Sequence, residues 1–202
     1  TKMKKSMPWI RCAGFLVGLA VILGICDFCF APSGYVRFIL HEVNRKDTQY
    51  DTIILGASHA RSAINPEYLD EELGTNTLNL AIPGETVKDA YYLLKDACES
   101  NDVKTVIMDV DYQYWMDEQP QGYFTEPFIC QNITNLKVKT EYLLDNWDTI
   151  DLRNVLVRRL SWDCTWSSVK QNISTKMTEA YREYSIEAAG VDGKVEGADG
   201  PY

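Results

Sequence analysis

Residues 51–69 read DTIILGASHARSAINPEYL. The apolar run Ile53-Ile54-Leu55 stops at Gly56, and Ser58 and His59 follow at once. A serine at the end of a strand acts as a nucleophile when its oxygen is exposed on a rigid turn. Backbone N–H groups must also face the developing oxyanion, and a base must take the proton. Ser58 suits the first condition. Its own N–H and that of Gly84, in Ala81-Ile82-Pro83-Gly84-Glu85-Thr86, are candidate oxyanion donors, because a residue without a side chain lets a substrate approach the backbone. A third stretch with chemical content is Asp109-Val110-Asp111-Tyr112-Gln113. Asp109 and Asp111 share a face, but no histidine or third carboxylate accompanies them, so no metal site is expected. Each group has a plainer role beside the chemical one. Ser58 can cap the next helix, Pro83-Gly84 can be an ordinary turn, and His59 and Arg61 can be polar side chains rather than substrate contacts.

These stretches are distant in sequence, so the elements between them decide whether they meet. Strands are expected at 52–56, 77–82 (TLNLAI) and 104–111 (KTVIMDVD). Asn65 is a good N-cap and Pro66 suits a first helical turn. Leu69 and Leu73 then share an apolar face, and Gly74 ends the helix. A second helix is expected over 86–99, with Val87, Ala90, Tyr91, Leu94, Ala97 and Cys98 on one face. Strands alternating with helices argue for a parallel sheet, half of a doubly wound α/β fold. Ligands of such sheets bind beyond the carboxyl ends of the strands, where all three stretches fall.

About residues 51–115, from ILGASHAR through LAIPGE to VIMDVD, together with the N-terminal apolar segment, resemble the N-terminal half of the SGNH/GDSL-type hydrolases. The most similar branch is that of membrane-anchored bacterial surface proteins, which includes D-alanyl transfer and polysaccharide O-acetylation proteins. There Gly-Ala-Ser-His or Gly-Ser-Ser-His replaces the more usual Gly-Asp-Ser. The resemblance implies a flavodoxin-like, doubly wound sheet with helices on both faces. It implies Ser58 as nucleophile and Gly84 as oxyanion glycine, with no cofactor. The implied reaction is ester hydrolysis or acyl transfer on a cell-surface glycan or acylated polymer, with a multi-span membrane acyltransferase as a possible partner. Two features depart from the pattern. The third block lacks its asparagine, leaving Asp111 as a weak substitute at that position. The base of the family comes from a late Asp-x-x-His, whereas this chain has only His41 and His59. The expectation is that the natural protein continues past Tyr202 and that the histidine lies there. The alternative is a non-catalytic binding or scaffold module that keeps the fold.

The first thirty residues differ from the rest. Lys2, Lys4, Lys5 and Arg11 precede a stretch from Cys12 to Cys26 without any charge. Residues 9–31 therefore read as a transmembrane helix behind a basic cytoplasmic tail at 1–8, with the main domain outside the cytoplasm. No Ala-x-Ala cleavage site follows, which favours a retained anchor over a signal peptide. The 20 basic and 29 acidic residues leave the chain at −9, and the part after Arg11 at −13, which disfavours nucleic acid as a partner.

The remaining layout is a polar linker at 32–50 with a short helix in VRFILHEVNRK, an α/β half-domain at 51–115, a mostly helical insertion or lid at 116–185 and a glycine-rich loop at 186–202. Within the insertion, 116–127 reads as loop, and 136–160 and 166–184 as helix. Trp115, Trp147, Trp162 and Trp166 are expected to pack inside it rather than to form a sugar-stacking platform. Asn132-Ile133-Thr134 and Asn172-Ile173-Ser174 have the form of glycosylation acceptors. Cys26-x-x-Cys29 lacks a second pair and reads as membrane thiols, and Cys98, Cys130 and Cys164 cannot all pair with one another.

Overall fold

The structure, a computed structural model, describes residues 8–31, 35–110, 125–148, 150, 162 and 164–182. It begins with α1 (Pro8–Phe30), whose 23 residues have a mean hydropathy of 2.3 over the most apolar window and are wholly unburied. At 1.5 Å per residue α1 is about 34 Å long, enough to cross a hydrocarbon layer of about 30 Å. It is the one candidate span among the described residues.

The domain that follows is built on three parallel strands, β1 (Thr52–Leu55), β2 (Thr77–Asn79) and β3 (Thr105–Met108), in the order β2-β1-β3. Thr52 aligns with Thr77 on one side and with Thr105 on the other. The expected strands are present but shorter. Beyond Asn79 the chain keeps pairing, through Leu80 N–H to Ile54 O at 2.9 Å and Ile82 N–H to Gly56 O at 3.1 Å.

Alternation along β1 sends Ile53 and Leu55 to one face and Ile54 to the other. Ile53 and Leu55 join the main core with α2 (Tyr35–Glu42), α5 (Val87–Ser100), α6 (Thr125–Asn132) and α7 (Leu136–Asp145). On the opposite face Ile54, Ala60 and Ala81 pack with Ile64, Leu69 and Ile107 beneath α3 (Ser58–Ala63) and α4 (Pro66–Leu73). The fold is thus mixed α/β with a small parallel sheet whose β1 and β2 are covered on both faces, while Val106 and Met108 of β3 are exposed. α8 (Trp166–Lys176) and α9 (Glu179–Arg182) complete the described elements.

α4 carries the expected terminal signals: Asn65 Oδ1 accepts from Glu67 N–H, Pro66 is the first helical residue, and Gly74 closes the helix at φ 67. Three expectations need correction. The short helix expected in the linker at 32–50 is present as α2, but its Phe38, Ile39 and Leu40 are fully buried, so the stretch is part of the core rather than a polar linker. Leu73 is exposed while Leu69 packs inward. The buried face of α5 is Asp89, Ala90, Tyr92, Leu93, Asp96 and Ala97, with Val87, Tyr91 and Cys98 outside. Apolar periodicity misplaced that face because two of its six positions are carboxylates. The 116–127 stretch turns helical at Thr125, and what precedes it, like 151–161, is outside the described residues.

Those carboxylates are accommodated by donors. Tyr142 O–H donates to Asp89 Oδ1 at 2.6 Å, and Thr86 N–H and O–H both donate to Oδ2 at 2.9 Å, which closes the capping box of α5. Asn44 Nδ2 donates to Asp96 Oδ2 at 2.8 Å. Burial outweighs these bonds and holds both carboxyls above the usual carboxylate range. All six cysteines are free, and burial pushes the Cys130 thiol up to about 11.

Removing the Tyr142 hydroxyl leaves the buried Asp89 carboxylate one donor short. Tyr142→Phe should therefore cost about 1–3 kcal/mol, read from urea denaturation in detergent. A raised folded-state pKa means that the native state holds the proton of Asp89 more tightly than the unfolded chain. Its favourable contribution is complete below the ordinary value of 3.8 and is lost as pH rises through the folded value. Wild type should accordingly gain stability relative to Asp89→Asn as pH is lowered from neutral toward 3.8. A relative loss over that range contradicts the assignment.

Candidate functional site

The carboxyl ends of the three strands converge on Gly56. Gly56 follows β1 at φ 148, in a region closed to most L-residues. A Cβ built on it would lie 2.6 Å from that of Ala60 and 2.8 Å from that of Asp109. Only glycine lets α3 fold back so closely while β3 ends alongside, where Asp109 N–H donates to Leu55 O at 3.0 Å. The first and third stretches singled out in the sequence therefore meet at this residue.

The second stretch joins through Glu85. Its carboxylate is buried and accepts Gly56 N–H on Oε1 and Ile82 N–H on Oε2, each at 2.9 Å. The Ile82 N–H is shared with Gly56 O, so one donor ties both turns together. Glu85 N–H returns to Ile82 O at 2.9 Å, and Gly84 has φ 77. With Pro83 and Gly84 as its two central residues this is a type II turn. The Pro-Gly turn is real, and it presents an exposed Gly84 at the same pole as Ser58.

Ser58 opens α3 and is exposed. It does not cap the helix, since the N-cap is Ala57 and no side chain bonds the first turn. Among the described residues the Ser58 hydroxyl, its N–H and the Gly84 N–H have no hydrogen-bond partner. His59 is exposed beside Ser58, and Arg61 is half-buried one turn of chain further on. Asp111, with Tyr112 and Gln113, lies outside the described residues.

His41 belongs to the other pole. Its neighbours Glu42, Val43 and Asn44 on and after α2 bond Tyr50, Asn101 and Ser100, which flank the amino ends of β1 and β3. The strands separate it from Ser58. Burial, opposed by the charge of Glu42 and aided by those of Arg37 and Arg45, holds the His41 imidazole below its usual pKa. At the pole of Ser58 the described residues include one histidine, His59, and the carboxylates Glu85, Asp89 and Asp109. They contain no group of three or more His, Cys, Asp or Glu side chains able to hold a metal.

Glu85 escaped the sequence reading as a site residue. Its one signal is an acid directly after Pro-Gly at a strand end, a place where carboxylates are usually solvated. Trp147 and Trp166 are exposed rather than packed, Trp162 stacks against Phe30 of α1 with ring centroids 5.5 Å apart, and Trp115 lies outside the described residues. The Asn172 amide is buried and donates to Cys29 O at 3.4 Å, so it is no glycan acceptor in this fold.

No protein-family model, no curated protein and no solved structure matches the chain.

Gly56→Ala combines a disfavoured φ with two sub-contact Cβ approaches. It should cost about 2–4 kcal/mol, read as a lowered urea midpoint, while Gly74→Ala, which meets no atom within 4 Å, should cost less.

Proposed function

We propose that this chain is a membrane-anchored module of SGNH type whose carboxyl-end crevice carries out acyl transfer or ester hydrolysis on a cell-surface glycan or acylated polymer. The observation that carries this reading is the exposed, uncapped Ser58 at the end of the central strand, on a turn where glycine is sterically required. In the reaction Ser58 Oγ attacks the acyl carbonyl and gives its proton to a base. The oxyanion sits against the N–H groups of Ser58 and Gly84, and its collapse expels the alcohol. Water or an acceptor hydroxyl then takes the acyl group from the seryl ester. Arg61 and His59 line the approach. α1 holds the module at the bilayer, with the basic N-terminal tail in the cytoplasm and the α/β domain outside.

A second reading is a binding module without turnover, and one observation favours it. The crevice offers His59 as its one histidine among the described residues, and a base adjacent to its own nucleophile on a turn is poorly placed to reach it. Glu85 and Asp109 also give the pole a negative character that does not favour an oxyanion.

A fluorophosphonate probe separates the two. The wild-type chain should take up one probe at Ser58, located by peptide mass spectrometry, and Ser58→Ala should lose the label while keeping its circular dichroism spectrum. A wild type that stays unlabelled when the natural protein is expressed at its full length, or a Ser58→Ala variant labelled as strongly as wild type, assigns the fold to binding instead.

A further inference from the structure

α8 is fastened to the end of α1. Lys176 Nζ is buried and donates to Phe28 O at 2.9 Å, to Asp27 O at 3.4 Å and to Ala31 O. These carbonyls lie at the negative dipole end of α1; Asp27 O also accepts Ala31 N–H at 3.0 Å, and Lys176 supplies a donor to the others that the end of the helix leaves without one. Asn172 donates to Cys29 O, and just before α8 Trp162 Nε1 donates to Asp27 Oδ1 at 2.9 Å. Contacts on both sides of Trp166 in sequence thus reach the same few residues of α1. With Trp9 near one end of α1 and a span of about 20 residues, Asp27 to Phe30 fall at the far headgroup layer. α8 is placed at that level.

The flanks of α8 differ. Val169, Asn172 and Lys176 are its buried side. At 100° per residue, Trp166, Ile173 and Met177 form one apolar line next to that side, with Lys170 at its margin. Trp166 is 83% exposed and Met177 68%, with Ile173 half-buried between them, so the described residues leave both ends of the line open. The other flank, Ser168, Gln171 and Thr175, is polar. From Cys164 to Thr178 there is no acidic residue, in a chain that carries 29.

We infer that the Trp166–Ile173–Met177 flank of α8 lies on the outer surface of the bilayer, with Trp166 at the boundary between headgroups and acyl chains. An amphipathic indole is most stable at that depth, and a neighbouring lysine reaches the phosphates from there. The acid-free stretch removes the repulsion that the rest of this chain would meet at an anionic surface. The contact makes α1 and α8 a two-point mount and fixes which side of the α/β domain faces the membrane. The inference rests on α1 being a span.

The test uses the full chain in phosphatidylcholine vesicles. Trp166→Phe isolates the emission of Trp166 as the difference from wild type. That difference should be blue-shifted, and it should be lost in vesicles whose lipids are brominated high on the acyl chain. Alkaline carbonate extraction is run in parallel. A chain that stays with the vesicles but whose Trp166 emission is red and unquenched overturns the inference and leaves the anchor standing. A chain released by carbonate overturns both.

Discussion

The space available to a single backbone position governs the carboxyl pole of this molecule. At Gly56 the chain leaves the central strand, and the Cβ atoms of Ala60 and Asp109 stand where a side chain would begin. That crowding is what allows α3 to start only two residues after β1 and brings the end of β3 alongside. The Gly56 carbonyl accepts from Ile82 and its N–H is taken by Glu85, so the second turn is held to the same point. Three stretches separated by about 25 residues each are thereby locked to one pivot. Ser58, Gly84 and Asp109 follow from that pivot rather than from contacts of their own.

The opposite pole uses its polar groups differently. Glu42 accepts from the Tyr50 hydroxyl at 2.6 Å and from Arg45 at 3.1 Å. Asn101 donates to Val43 O at 2.7 Å and accepts Tyr50 N–H at 3.0 Å. Asn44 bridges Asp96 and Ser100. These groups are buried or half-buried and satisfied, so each would cost more to disturb than it contributes by being present. They bind α2, α5 and the strand entries into one body and leave little for a ligand. The free N–H groups and the free hydroxyl lie at the Ser58 pole. This asymmetry is common to parallel α/β sheets, in which the amino end of the strands serves stability and the carboxyl end carries the site.

Much of this was legible in the sequence, for identifiable reasons. Strand positions followed from short apolar runs, and α4 from Asn65, Pro66 and Gly74, whose roles are set by local backbone geometry. The identity of the site stretches followed from topology alone. The inward face of α5 was not legible, because Asp89 and Asp96 are buried by donors on Thr86, Tyr142 and Asn44 that only the tertiary fold supplies. Glu85 was hidden for the same reason. α2 was legible as a short helix but not as core, because its burial depends on α6, which follows about ninety residues later. The clasp of Lys176 on α1 joins residues 148 apart in the chain, and no local pattern announces it.

That clasp bears on how the crevice would meet a substrate. A domain tethered by one flexible link samples all orientations above a membrane, and its site faces the surface only part of the time. Here the exit of α1 is gripped by the Lys176 ammonium and the Trp162 indole, while α9 adds a contact to α2 through Tyr181, whose hydroxyl accepts from Arg37 at 2.5 Å and whose ring meets Phe38 edge-on. α2 in turn is core. α1 and the sheet are therefore joined through packed side chains at both steps, so the direction of the Ser58 pole relative to the axis of α1 is set by the fold. Under the proposed reading, in which α1 spans a bilayer and the crevice meets a membrane-proximal polymer, that fixed direction would replace an orientational search with a standing geometry.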